Sequence, residues 1–157
     1  MTTGTFRRRT VALPLIALLL LVMALTRPAF ATLGENVATV QSDQAHMRAN
    51  IRMTRTTAYT THELQSPNGT VVREFVSPAG TVFGVSWQGQ SLPDLRQVLG
   101  KYFDQYVQGM QKRAGHGPRI IQEQGLVVQV AGHQRSLSGR AYLPEMLPTG
   151  VRAEEVR

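Results

Sequence analysis

Apolar and polar residues alternate along residues 58–88, and the same turn sequence interrupts the alternation twice. Residues 66–71 and residues 77–82 both read S-P-x-G-T-V, eleven residues apart. Proline presets the backbone for the first corner of a turn, and the glycine can adopt the left-handed conformation that closes a three-residue hairpin loop with a bulge. The pattern therefore predicts three consecutive antiparallel strands over about 58–66, 70–77 and 81–88.

Counting from the turns predicts which strand residues face each other, if each turn serine pairs with its threonine. The first hairpin then has three cross-strand pairs: Leu64 with Val72, His62 with Glu74, and Glu63 with Arg73. The second hairpin has three more: Phe75 with Phe83, Arg73 with Val85, and Val71 with Trp87. This register puts four aromatic side chains on one face, which we expect to be the core face: Tyr59, Phe75, Phe83 and Trp87.

The hydrophobic period changes to three and four residues after Trp87. Eight apolar positions form one stripe of an amphipathic helix over 92–111: Leu92, Leu95, Val98, Leu99, Tyr102, Phe103, Tyr106 and Met110. Ser91 is the expected N-cap, with Pro93 and Asp94 in the first turn. Residues 114–118 are expected to form a loop. Alternation then predicts strands over 119–123, 126–131 and 135–143, with turns at Gln124-Gly125 and around Gly132-His133.

These elements predict an α+β fold in which the 92–111 helix packs on the aromatic face of an antiparallel sheet. The single domain is expected to span residues 58–151, after a lead-in over 32–57 and before a charged tail over 152–157 that runs over the surface. Residues 32–41 show no periodicity and are expected to be mobile or extended. Ser42 or Asp43 is expected to cap a short helix that continues through Met47 and Ile51.

The first 31 residues have the three parts of a cleavable export signal. Arg7, Arg8 and Arg9 precede an uncharged run over 11–25, and residues 29–31 read Ala-Phe-Ala. The apolar run is shorter than the roughly 20 residues that cross a bilayer. We therefore predict cleavage between Ala31 and Thr32, a periplasmic or secreted product, and no membrane anchor after processing.

Processing would change the charge of the protein substantially. The whole chain has 17 basic and 10 acidic residues, for a net charge of +7. Four of the basic residues lie in the signal, so the mature chain would carry +3. The remaining basic residues are scattered, which argues against a nucleic-acid partner. The chain has no cysteine, so the mature domain would be stabilised by burial and hydrogen bonding without disulfides.

His62 and Glu74 are the first catalytic candidates, since a carboxylate beside an imidazole can support a general base. His133 is a third candidate. No G-x-S-x-G sequence surrounds a serine, however, so the usual nucleophile is missing. The alternative interpretation is a cross-strand polar pair. The histidines at 46, 62, 116 and 133 do not have metal-ligand spacing, and the sequence predicts no metal and no cofactor.

Two further features suggest binding. Arg135 and Arg140 lie beside a glycine-containing turn, where backbone and guanidinium groups could hold an anion. Trp87 at a strand end could support a peptide or sugar. The competing interpretations are a solvated turn for the two arginines and core packing for the tryptophan.

Several segments resemble an exported proteobacterial family catalogued as domain of unknown function 2844. The resembling segments cover about residues 58–151: His62-Glu63-Leu64, residues 72–78, residues 85–89, Pro93-Asp94-Leu95, Tyr102-Phe103 and residues 139–144. The resemblance implies an exported single domain and no assigned activity. We therefore expect a non-enzymatic module that binds an envelope or secreted protein or peptide. The alternative is an envelope hydrolase or lyase that uses His62 and Glu74.

Overall fold

Seven antiparallel strands form one sheet in the computed structural model, which describes residues 33–112, 119–133 and 135–157. The predicted signal over 1–31, its cleavage site at Ala31 and Thr32, and His116 lie outside these residues. The strands are β1 (Asn50–Arg55), β2 (Thr60–Gln65), β3 (Val71–Val76), β4 (Val82–Gly89), β5 (Arg119–Glu123), β6 (Leu126–His133) and β7 (Ser136–Tyr142). Their order across the sheet is β1-β2-β3-β4-β7-β6-β5, so the fold combines helices with an antiparallel sheet.

The two repeated turns have the same hydrogen bonds. Ser66 N donates to Thr70 O at 2.9 Å, and Ser77 N donates to Thr81 O at the same distance. Gly69 and Gly80 both have left-handed φ values, of 82° and 80°. The loop geometry expected from S-P-x-G-T-V is confirmed, and so are all three predicted cross-strand pairs of the first hairpin.

The predicted register of the second hairpin is wrong by one residue. Val76 pairs with Val82, but Phe75 pairs with Gly84, because β4 contains one extra residue at Phe83. This β-bulge reverses the faces of the residues that follow it. Trp87 consequently pairs with Val72 and points to the face opposite Phe75 and Phe83.

The single helix predicted over 92–111 is divided into α2 (Leu95–Leu99) and α3 (Phe103–Gln111), with a 3-10 turn at Gly100–Tyr102 between them. Asp94 is the N-cap, and its side chain accepts hydrogen bonds from the backbone of Arg96 and Gln97. The expected cap at Ser91 is wrong, because Ser91 instead contacts the first hairpin turn through Thr70.

The segment before residue 58 is more ordered than expected. Leu33 is fully buried, Asn36 forms a bridge with Thr81, and helix α1 extends over Val40–Met47. Arg48 ends α1 in a left-handed conformation. Ile51 therefore lies in β1 rather than in the helix, and the sheet begins before residue 58.

The two faces of the sheet are covered differently. The helix face, which includes Val72, Val85 and Trp87, packs against buried residues of α2 and half-buried residues of α3. The opposite face, here called the groove face, carries Tyr59, Phe75 and Phe83 at one end. The C-terminal segment covers this aromatic cluster with Val151 and the fully buried Val156, so the tail contributes to the core instead of running over the surface. The 92–111 region thus packs on the face that lacks these three aromatic rings.

Candidate functional site

A cluster of polar side chains is buried between the helix face and the helices above it. Asp43 from α1, Glu74 from β3 and Gln97 from α2 are each no more than 5 % exposed. Gln97 Nε2 donates to Asp43 Oδ1, and the carboxyl groups of Asp43 and Glu74 share a hydrogen bond. Burial raises the pKa of Glu74 well above 4.5, and the neighbouring Asp43 raises it further. Both effects favour the protonated form of Glu74, in which its carboxyl group can donate a hydrogen bond to Asp43.

His62 lies directly opposite Glu74 on β2, as predicted. Burial lowers the pKa of His62 below 6.5, and the positive charge of Arg55 adds to this effect. Nδ1 of His62 and Oε2 of Glu74 are both buried without a hydrogen-bond partner among the described residues. The pair is thus adjacent in the backbone register but is not joined by a side-chain hydrogen bond in the described part of the chain.

The other sequence-predicted residues are dispersed. His133 ends β6 and is exposed, and Arg135 lies in the turn after it with a left-handed φ of 65°. Arg140 belongs to the groove face, whereas the Trp87 side chain packs on the helix face against Gly139. His62 and Glu74 are on the opposite side of the sheet from Arg140. The structure therefore does not bring these candidates together as one site.

The groove face contains an open depression of about 380 Å³ whose floor is formed by β4, β7 and β6. Four arginines are among the residues that line it, namely Arg73, Arg119, Arg140 and Arg157. The Arg119 side chain belongs to the helix face, where its Nη1 contacts Met110 Sδ, so the charges on the groove side come from the other three. The lining also includes uncharged polar residues: Ser86, Gln88, Gln129 and Ser138. It includes no aspartate or glutamate among the described residues, so the groove is a concave surface with a positive potential.

Two of these arginines are held in place by neighbouring side chains. Arg73 Nε donates to Glu63 Oε2 at 2.7 Å, in an ion pair whose two side chains are about one-third exposed. Arg140 Nε donates to Gln129 Oε1 and its Nη1 donates to Ala153 O, both at 2.8 Å. Fixing a guanidinium group in this way reduces the entropy lost when it binds a ligand.

Strand β1 is a second accessible feature, at one edge of the sheet. All six of its residues are exposed, and Met53 is 56 % exposed. Thr56 N donates to Tyr59 O, and bonded and non-bonded pairs alternate along an antiparallel ladder. The backbone groups of Ile51, Met53 and Arg55 therefore point away from β2, toward solvent.

The described ranges contain neither a metal-binding cluster nor a membrane-spanning helix. No group of three or more His, Cys, Asp or Glu residues there could hold a metal ion. No helix within those ranges is long and apolar enough to cross a membrane.

A known protein family matches most of the chain. The family described as "Protein of unknown function (DUF2844)" matches residues 29–156. The chain belongs to this family. No curated protein and no solved structure matches the chain. The resemblance identified from the sequence is confirmed, and the family match reaches farther in both directions than the segments that indicated it.

Most of the residues that the structure of this DUF2844 protein groups together have no signal in the sequence. The sequence indicates Asp43 only as a helix cap, and it does not indicate Ser86 or Gln97 as site residues. Arg73 was placed correctly opposite Glu63, but nothing in the sequence indicated that Arg140 would lie two strands away on the same face. The order β4-β7-β6 creates this proximity, and non-consecutive strand neighbours have no local sequence signal.

Proposed function

We propose that this DUF2844 protein is exported and acts as a binding module that captures an extended segment of an envelope or secreted protein along β1. The supporting observation is that β1 is an exposed edge strand with outward-facing backbone groups at Ile51, Met53 and Arg55. An extended peptide can pair with such an edge and obtain most of its affinity from main-chain hydrogen bonds.

The side chains of β1 favour a particular kind of segment. Ile51 and Met53 are exposed on the side of β1 that continues the helix face, and Arg52 lies on the other side. Arg55 adds a second positive charge. An acidic segment with alternating apolar residues would complement this edge, whereas a second copy of β1 would bring arginines together.

The test uses a proline that affects only the outer edge. Met53→Pro removes an outward N–H but leaves the alternating hydrogen bonds to β2 intact. Met53→Ala is the matched control, because it removes the same side chain and keeps the N–H. Wild type and both variants are used as baits in an envelope extract. Proteins bound by wild type and Met53→Ala but lost with Met53→Pro are the partners that we expect.

Hydrogen exchange then tests the binding mode. Exchange at the amides of Ile51, Met53 and Arg55 should slow when a purified partner is added, since these amides would gain acceptors. Equal capture by all three baits would exclude the β1 edge as the binding surface. Absence of any captured protein across a range of salt concentrations would contradict the binding function itself.

Export is tested separately by intact-mass measurement of the protein recovered from its cells. Our proposal requires a new N-terminus at Thr32, after removal of residues 1–31. Recovery of the chain with Met1 intact, or retention in the membrane fraction, would contradict this processing.

A further inference from the structure

We infer that the groove face contains a binding site for a phosphate-type oxyanion, formed by Arg73, Ser86 and Arg140. These residues lie opposite one another on three neighbouring strands, because Arg73 pairs with Ser86 and Ser86 pairs with Arg140. Neighbouring strands are about 4.8 Å apart, so the two arginine backbones are about 10 Å apart with the serine between them. This site is independent of the β1 edge.

Neighbouring groups orient the two guanidinium groups but do not use all of their N–H donors. Arg73 uses its Nε for Glu63, and Arg140 uses Nε and Nη1 for Gln129 and Ala153 O. A guanidinium has five N–H donors, so both groups keep further donors at their Nη atoms within the described structure. A planar guanidinium can donate two parallel hydrogen bonds to two oxygens of one phosphate, which the ammonium group of lysine cannot do.

Ser86 provides a second and independent observation. Its side chain is buried, with 4 % of the residue exposed, and its Oγ has no hydrogen-bond partner among the described residues. A buried hydroxyl without a partner destabilises the folded state, whereas a bound oxyanion could accept a hydrogen bond from it. The unpartnered atom belongs to a residue that lies between the two arginines, on a strand that forms the floor of the groove.

The charge balance selects an anion with several oxygens. Glu63 bonds Arg73 but does not line this depression, and Arg157 adds a further positive charge to the lining. A carboxylate has two oxygens and would satisfy one arginine, whereas a phosphate group offers oxygens to both arginines and to Ser86. The phosphate could be inorganic or part of a lipid headgroup, and the experiment below distinguishes these sources.

The first experiment titrates the ¹⁵N-labelled protein with inorganic phosphate at low ionic strength. The Nε–Hε signals of Arg73 and Arg140 and the amide signal of Ser86 should shift together and saturate. Arg73→Gln combined with Arg140→Gln should weaken binding by at least about tenfold, since charge-assisted hydrogen bonds are lost. Arg52→Gln is the control, because Arg52 lies on the same sheet face but outside the groove. It should leave the affinity within about twofold of wild type, since exposed charges interact weakly through solvent.

Ser86→Ala distinguishes an effect on phosphate affinity from an effect on stability. It also provides a test if the double arginine variant does not fold. This variant should bind phosphate about threefold or more weakly, since one hydrogen bond is lost. Its melting temperature should not fall, because the substitution removes an unsatisfied hydroxyl. Unchanged affinity in Ser86→Ala would exclude the serine from the site. Absence of saturable shifts with phosphate, together with absence of vesicle binding, would overturn the proposal.

The second experiment compares phosphatidylglycerol vesicles with phosphatidylcholine vesicles in a flotation assay. Flotation with phosphatidylglycerol alone, lost in the double arginine variant, would identify a lipid headgroup as the source. Saturable shifts with inorganic phosphate but no flotation would identify a soluble phosphate. Met53→Pro should leave both results unchanged. Failure of the oxyanion site is therefore distinguishable from failure of strand capture at β1.

Discussion

The two hairpins built from β2, β3 and β4 begin with the same turn and then differ. In both, a serine N–H bonds a threonine carbonyl across a loop closed by a left-handed glycine. The first hairpin continues in an unbroken register from Gln65–Val71 to Thr60–Val76. The second contains a bulge at Phe83, within two residues of the turn. Identical turn chemistry therefore does not ensure identical strand pairing.

The bulge places two aromatic residues of the same strand, β4, in two separate cores. Phe83 packs with Tyr59 and Phe75, at ring-centroid distances of 5.9 and 6.2 Å, under the C-terminal segment. Trp87 packs on the other side of the sheet with the helices. Without the bulge, both rings would be on one face and the helix face would lose its largest side chain.

The largest expected effect on stability comes from removing the Trp87 side chain from the core on the helix face. Trp87→Ala should lower the free energy of unfolding by about 3–5 kcal/mol, because the side chain is fully buried. Chemical denaturation measures this change. A double-mutant cycle sharpens the comparison: Val156→Ala should couple to Phe83→Ala but add independently to Trp87→Ala. Coupling between Val156 and Trp87 would contradict the separation into two cores.

A smaller effect is expected when the surface beneath Trp87 is changed. A Cβ at position 139 would lie 2.3 Å from Trp87 Cζ2 and 2.8 Å from the carbonyl oxygen of Gln129. Gly139→Ala should therefore destabilise the protein by about 1–3 kcal/mol through overpacking. In the Trp87→Ala background, denaturation should show a reduced cost, since the nearest contact is gone. An equal cost in both backgrounds would contradict packing of the indole on Gly139.

The two hairpins share Glu74, whose pKa is raised by burial and then by Asp43. The native state keeps this proton above pH 4.5, where the unfolded chain has released it, so stability should fall as the pH rises through the raised native pKa. Glu74→Gln should flatten this slope in melting temperatures measured across pH.

The smallest difference is expected between the two turns themselves. Gly69→Ala and Gly80→Ala should each cost about 1–2 kcal/mol, because both positions have left-handed φ values. Within the described residues, no atom lies within 4 Å of a Cβ at Gly69, and the nearest atom to a Cβ at Gly80 is 3.8 Å away. The two costs should therefore agree within about 0.5 kcal/mol. A larger difference in denaturation midpoints would show that the bulge strains the second turn.

Local patterns predicted the elements of this fold better than their arrangement. Alternation and turn residues located β2 to β7 to within a few residues, and the helical period located α2 and α3. The pattern missed β1, which contains two apolar residues, Ile51 and Met53, and whose six residues are all exposed. It also missed the break at Gly100, because the apolar stripe continues through it.

The candidate site was less predictable than the fold. His62 and Glu74 could be paired by counting, because one turn connects their strands. The side chain that hydrogen-bonds Glu74 belongs to Asp43, which lies 31 positions earlier on a helix. Arg73 and Arg140 share the groove only because β7 pairs with β4. Such long-range contacts depend on packing that local sequence does not encode.

The sequence by itself determined the repeated turns, the alternating strands, the register of the first hairpin and membership in the DUF2844 family, since each depends on residues close together in the chain or on a recurring pattern. Only the tertiary structure decided which face each side chain enters. The bulge at Phe83 places Phe83 beneath the C-terminal segment and Trp87 beneath the helices. One extra residue in a strand reverses every later side chain, and the burial gained on both faces is what stabilises that choice.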